Sequence, residues 1–226
     1  MKIFFGGSFD PVHLGHLLVA RDVLEELKVE EVVFVPAYQA PLKENHKASP
    51  MDRLYMLKLA IEGVEGFSVS LMEIERKGIS YTVDTAQQLF QEIKKKPTFL
   101  IGADSALNLH LWKDPLRLVK LARFVIIDRS SKGKEVKAYL RERFPELKED
   151  EDYIILSVRR VDISSTEIRR RVKEGKSIRW LVPPSVEEYI ISKNFTCALY
   201  ECYKWRCSCR QSFRFSRIYD CSLGRR

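Results

Sequence analysis

Lys2-Ile3-Phe4-Phe5-Gly6-Gly7-Ser8-Phe9-Asp10-Pro11-Val12-His13-Leu14-Gly15-His16 is the stretch from which the rest of the chain can be read. Residues 2–5 form a short apolar run that reads as a first strand, and the spacing of Leu14, Leu17, Leu18, Val23, Leu24 and Leu27 reads as a first helix. The junction between them has the ingredients of an anion site. Gly6 and Gly7 carry no side chains, so backbone amides can come close to a phosphate. The helix start adds free N–H groups and the positive end of the dipole. His13 and His16 are three residues apart and share one face of the first turn, with Gly15 between them leaving room for a bulky ligand. The usual phosphate patterns, G-x-x-x-x-G-K-[ST] and G-x-G-x-x-G, are absent. A zinc site on this histidine pair would need a third ligand, and none stands at suitable spacing in the body.

Working outward, residues 32–35 are a short, wholly apolar run, as expected for a strand covered on both faces of a parallel sheet. Further strands are expected at 67–71, 98–101, 124–127 and 153–158, with helices at 51–61, 83–94, 114–121 and 134–143 between them. This alternation predicts an α/β fold: a Rossmann-like, doubly wound parallel sheet in a single domain, with ligands outside the carboxyl ends of the strands. The body is taken as residues 1–194 and a C-terminal extension as 195–226. All five cysteines (Cys197, Cys202, Cys207, Cys209, Cys221) lie in the extension, so the body depends on no disulfide.

The chain of 226 residues is 45% hydrophobic and 31% charged, which suffices for a full core and excludes general disorder. Its formal charge of +8 invites a nucleic-acid reading, but the extension has seven basic residues against Glu201 and Asp220 and so holds +5 of it. The body, at +3, is ordinary for a handler of phosphorylated small molecules. No apolar stretch approaches the roughly 18–20 residues of a membrane span, and residues 1–5 are too short for a secretory signal. The expectation is a soluble cytoplasmic protein. The basic, Cys-rich extension, in which Trp205, Phe213, Phe215 and Tyr219 interleave with arginine, reads as a poorly ordered appendage, and its Cys202, Cys207 and Cys209 lack the paired C-x-x-C spacing of a zinc module.

A second anion site is expected after the sixth strand, at Ile163-Ser164-Ser165-Thr166-Glu167-Ile168-Arg169, taken as the last helix of the body. Ser164 and Glu167 fit a capping box. Arg169, four residues after Ser165, should share its face, so hydroxyls, amides and a guanidinium converge on one helix start. Arg170 and Arg171 read as solvated.

With both segments in view, the chain resembles the nucleotidyltransferase superfamily: Gly6-Gly7-Ser8-Phe9-Asp10-Pro11 with His13-x-Gly15-His16 is similar to its first signature, and I-S-S-T-x-I-R to its second. The resemblance implies that His16 and His13 contact the phosphates of ATP. It also implies that Ser164, Ser165, Thr166 and Arg169 grip the β- and γ-phosphates, with Gly6, Gly7, Ser8 and Phe9 lining the nucleotide.

Three further segments resemble one branch, the nicotinate-mononucleotide adenylyltransferases. Glu75-Arg76-Lys77-Gly78-Ile79-Ser80-Tyr81-Thr82-Val83-Asp84-Thr85 is similar to that branch's E-x-x-R-x-G-x-S-Y-T-x-D-T region. There Thr82 and nearby amides, at a helix start, would cradle the nicotinate carboxylate, with Tyr81 also on the mononucleotide. Gly102-Ala103-Asp104 matches its G-A-D, with Gly102 beside the nucleotide and Asp104 on the adenosine ribose. Trp112 matches a tryptophan that stacks on the pyridine ring. Lys43 and Arg129 would serve the mononucleotide, and Arg53 fits an R-x-x-M-L helix element with a surface salt bridge as the bland alternative. One departure stands out: a loop that commonly reads P-P-H-K is here Ala40-Pro41-Leu42-Lys43, so no histidine role passes to Leu42.

The resemblance implies transfer of the adenylyl group of ATP to nicotinate mononucleotide, giving deamido-NAD and pyrophosphate, with His16, His13 and Arg169 as the catalytic set. Mg2+ would enter with ATP and no dedicated metal site is expected. The partners expected are the two substrates, with neither membrane nor, for the body, nucleic acid, and with a homo-oligomer left open. The alternatives are an adenylyltransferase for nicotinamide mononucleotide or phosphopantetheine, and a non-catalytic nucleotide sensor with an RNA-binding tail.

Overall fold

A computed structural model describes residues 1–41, 46–129 and 131–193. The chain runs β1 (Lys2–Gly7), α1 (Leu14–Glu26), β2 (Glu31–Pro36), α2 (Pro50–Ile61), β3 (Phe67–Val69), α3 (Met72–Arg76), α4 (Thr82–Ile93), β4 (Thr98–Gly102) and α5 (Ala103–Leu107). A 3-10 turn (Leu109–Leu111) then leads to α6 (Pro115–Leu121), β5 (Arg123–Asp128), α7 (Gly133–Arg143), β6 (Tyr153–Ser157), α8 (Ser165–Lys173) and α9 (Pro184–Ser192). The six strands form one parallel sheet in the order β3-β2-β1-β4-β5-β6. The order reverses between β1 and β4, and a crevice opens at such a switch point outside the carboxyl ends of the strands.

Each central strand is apolar on both faces because helices cover both. Ile3, Val32, Phe34, Leu100, Val125 and Ile127 pack with residues of α1, α2, α8 and α9. Their neighbours Phe4, Val33, Val35, Phe99, Ile101, Phe124 and Ile126 pack with α4, α6 and α7 on the other side. The period of two that sorts these side chains is that of the pleat. The doubly wound single domain is therefore as the sequence implied.

Some boundaries differ. The strand expected at 67–71 ends at Val69, and that at 153–158 ends at Ser157. The helix at 163–169 is not the last of the body. α9 follows it, starting on Pro183-Pro184, a pair that reads as a breaker but suits a first helical turn, where no N–H is needed. Val186 and Ile190 bury its inner face, and the Tyr189 hydroxyl donates to Asp52 Oδ1 of α2 at 2.6 Å. α3 and α5, five residues each, were too short to show a period. The extension from residue 195 lies outside the described residues.

Candidate active site

The loop after β1 is built around a buried wedge. Phe9 adopts a left-handed backbone (φ 47°) and its ring is 1% exposed, edge-on to Phe5 and Phe34 and 5.1 Å from the His16 ring. Gly7 is needed for this packing, since a Cβ there would stand 2.9 Å from the Phe9 ring. Phe9, expected among the residues lining the nucleotide, thus offers its ring to the core and supports His16 from below. Gly6 is open to solvent.

Arg53 holds this loop from behind. Its side chain is fully buried, with Nη1 donating to the Ser8 carbonyl at 2.7 Å and Nη2 to the Tyr38 carbonyl at 2.9 Å. It forms neither a surface salt bridge nor part of an exposed helix face. Burial lowers its pKa and the Asp10 carboxylate opposes that, but a guanidinium stays charged. Asp10 is itself buried, and its carboxylate accepts from the Lys47 and Ala48 amides at 2.8 and 3.1 Å. The loops after β1 and β2 are therefore one braced unit.

At the start of α1, His13 is the N-cap and its amide donates to His16 Nδ1 at 3.3 Å. An acceptor at Nδ1 puts the proton of a neutral His16 ring on Nε2. The two rings stack, centroids 3.7 Å apart. Burial, reinforced by the nearby Arg129 charge, lowers the His13 pKa to about 4, so its ring is neutral at pH 7. Gly15 does not leave space for a ligand as expected. A Cβ there would meet His13 Nδ1 at 3.0 Å and the Ile163 carbonyl at 3.6 Å, so the glycine admits the imidazole and the neighbouring segment. The row of free amides is also shorter than expected: the Leu14 amide donates to the Leu181 carbonyl and the His16 amide to the His13 carbonyl, both at 2.9 Å.

The start of α8 lies against the same loop. Ser164 caps it, accepting from the Glu167 amide at 3.1 Å. The Ser165 hydroxyl donates to the Pro11 carbonyl at 2.9 Å, and Arg169 Nη1 to the Asp10 carbonyl at 2.6 Å. Arg169 Nη2 also donates to the Thr166 hydroxyl at 3.1 Å. Ser164 and Thr166 are exposed. Arg170 and Arg171 turn to Glu174 and the Ser177 carbonyl, as solvated residues would. The structure thus brings the two helix starts, more than 150 residues apart in sequence, onto one loop.

Arg129, after β5, is half-buried and makes no hydrogen bond or ion pair with any described residue. Burial lowers its pKa against the pull of Asp104 and Asp162, and its charge is felt at His13, so it stands close to the histidine pair. Gly102 is the N-cap of α5 at the carboxyl end of β4. The exposed Asp104 follows, paired to Lys132 at 2.7 Å.

On the far side of the crevice Tyr81 caps α4 and Thr82 is its first residue. This helix start is pinned to the loop after β2, because the Ser80 hydroxyl accepts from the Tyr38 amide at 2.9 Å. Glu75 is exposed, and the glutamate that organises the segment is the buried Glu73. The Thr85 hydroxyl donates to it at 2.6 Å while accepting from Arg76 Nη2 at 2.8 Å, and burial raises the Glu73 pKa. Tyr81 and Trp112 pack half-buried on one core cluster. Lys113 sits 4.4 Å over the Tyr81 ring and 3.1 Å from Asp84. Leu42 and Lys43 lie outside the described residues. Arg53 and Leu181 act through partners distant in sequence, which no local motif announces.

A cytidylyltransferase-like family model matches residues 4–171. A relative from Aquifex aeolicus, named "Probable nicotinate-nucleotide adenylyltransferase", is 52% identical over 74% of this chain and all of its own length. One of the same name from Hydrogenobaculum is 43% identical over 84% of this chain and 95% of its own. The nicotinic acid mononucleotide adenylyltransferase of Plasmodium falciparum, solved with NaAD, superposes with a TM-score of 0.71. It is 19% identical, over 87% of this chain and 97% of that one, and so speaks for the fold. The chain belongs to the cytidylyltransferase-like family, and the relatives it matches there are named as probable nicotinate-nucleotide adenylyltransferases.

Proposed function

We propose that the protein transfers the adenylyl group of ATP to nicotinate mononucleotide in the cytoplasm, releasing deamido-NAD and pyrophosphate. The observation that carries this reading is the joining of two helix starts, one armed with imidazoles and one with hydroxyls and a guanidinium, on a single loop. The attacking oxygen belongs to a phosphate already ionised at neutral pH, so no general base is required. The α-phosphorus needs in-line placement and donors for charge on its oxygens and on the departing pyrophosphate.

In this reading His16 donates through Nε2 to the α-phosphate, and neutral His13 backs it and serves the neighbouring phosphate. The Gly6, Gly7 and Ser8 backbone lines the chain of phosphates. Ser164, Ser165, Thr166 and Arg169 hold the leaving group, while Gly102 and Asp104 hold the adenosine. Tyr81, Thr82, Trp112, Lys43 and Arg129 receive the mononucleotide. Mg2+ carried in on the triphosphate would supply further charge neutralisation, held mostly by phosphate oxygens. The test is pyrophosphate release on mixing ATP with nicotinate mononucleotide, with nicotinamide mononucleotide and phosphopantetheine in parallel. Faster release with either of those would overturn the substrate assignment, and no release with any would overturn the activity.

A further inference from the structure

We infer that the ion pair between Asp22 and Arg159 is a tether that sets where the start of α8 meets the leaving group; the inference rests on the adenylyltransferase reading. Asp22 lies on the buried face of α1 beside Val19 and Val23, and is 8% exposed. Arg159 grips its carboxylate with two bonds, Nη2 to Oδ1 at 2.9 Å and Nε to Oδ2 at 3.2 Å. Arg159 belongs to the segment that joins β6 to α8. From there the chain returns along α1: Val158 and Ile163 pack on the cluster that holds Val19 and Val23, and the Ile163 carbonyl reaches Gly15. Ser165 and Arg169 then bond to Pro11 and Asp10.

The strap is short. Asp22 to Gly15 is seven residues of helix, about 10 Å. Arg159 to Ile163 is four residues, which reach about 13 Å at most. A segment this short, held at Asp22 by two bonds, bears directly on where Ser164, Ser165 and Arg169 stand. Releasing it leaves α1, His13 and His16 in place and loosens only the end that holds the pyrophosphate. Arg159 and Asp22 are positioning residues, touching no substrate themselves.

The test compares Asp22→Asn, Arg159→Met and Arg159→Lys with the wild-type chain by calorimetric binding of pyrophosphate, ATP and AMP, with KM for each substrate. The expected result is about tenfold weaker pyrophosphate and ATP binding in the first two variants and a matching rise in KM for ATP. AMP affinity and the mononucleotide KM should stay unchanged, and Arg159→Lys should recover most of the loss. Equal weakening of AMP and pyrophosphate, or a lower melting temperature with unchanged pyrophosphate binding, would overturn the proposal. Should Asp22→Asn fold poorly, Arg159→Met decides, because it alters a side chain that is 63% exposed. Pyrophosphate binding is read without turnover, so a wild-type chain that binds it but makes no product would count against the reaction and not against the tether.

Discussion

In the proposed reaction the starts of α1 and α8 both receive phosphates, yet they are built in opposite ways. At α1 the capping imidazole is 4% exposed, the first amide is taken by Leu181, and the His16 ring is held through its Nδ1 by the His13 amide. At α8 the capping hydroxyl and Thr166 are exposed, and several polar groups stand together at the helix start. The difference matches the chemistry proposed. Charge developing on the α-phosphate calls for one fixed donor, because reorganisation there would raise the barrier. A departing pyrophosphate must be held and then released, which suits many weaker contacts.

The comparison breaks most visibly at His16. Its replacement by alanine is expected to lower kcat by about 10²–10³, roughly 3–4 kcal/mol of transition-state stabilisation, in steady-state assays. Turnover within about threefold of wild type would remove His16 from the role. Next comes the brace behind α1. Arg53→Met leaves the Ser8 and Tyr38 carbonyls without their donor, and is expected to cost about 3 kcal/mol, or roughly 6–12 °C in melting temperature. An unchanged melting curve would mean that the buried guanidinium is replaceable.

A pH titration separates the two ends further. The His13 pKa is about 4 in the fold against an ordinary 6.5, so the unfolded chain takes up a proton first as pH falls. Stability contributed by neutral His13 is therefore complete above about 6.5 and lost progressively down to about 4, at most about 3 kcal/mol. His13→Gln should flatten that part of the stability–pH curve, measured by urea unfolding; the same slope in the variant would assign it elsewhere. At α8 the effects should be smaller. Ser164→Ala loses one cap bond, about 1 kcal/mol of helix stability, with a few-fold weaker pyrophosphate binding and kcat nearly kept. Smallest of all, removal of residues 195–226 should leave both activity and melting temperature unchanged, and loss of either would show that the extension belongs to the working domain.

How much of this was legible follows from the range of each interaction. The apolar run at Val32–Val35 and the His13–His16 spacing are local signals, and both led to the right place: a covered central strand and one face of a helix start. The segment at Ser164–Arg169 could be read as capped, but not that it leans on Asp10 and Pro11. Glycine 15 was misread for a physical reason, since space beside a glycine is as readily filled by the protein as by a ligand. Arg53 and Asp22 look like surface charges in a list of residues. Only the fold shows that one is wholly buried under two carbonyls and the other anchors a segment 137 residues away.

The most direct measurement is a crystal structure with a non-hydrolysable ATP analogue. An α-phosphate oxygen should lie within about 3.2 Å of His16 Nε2, with the β- and γ-phosphate oxygens on Ser165, Thr166 and Arg169 in the same molecule. A triphosphate that engages only one of the two helix starts, leaving the other in solvent, would contradict the account.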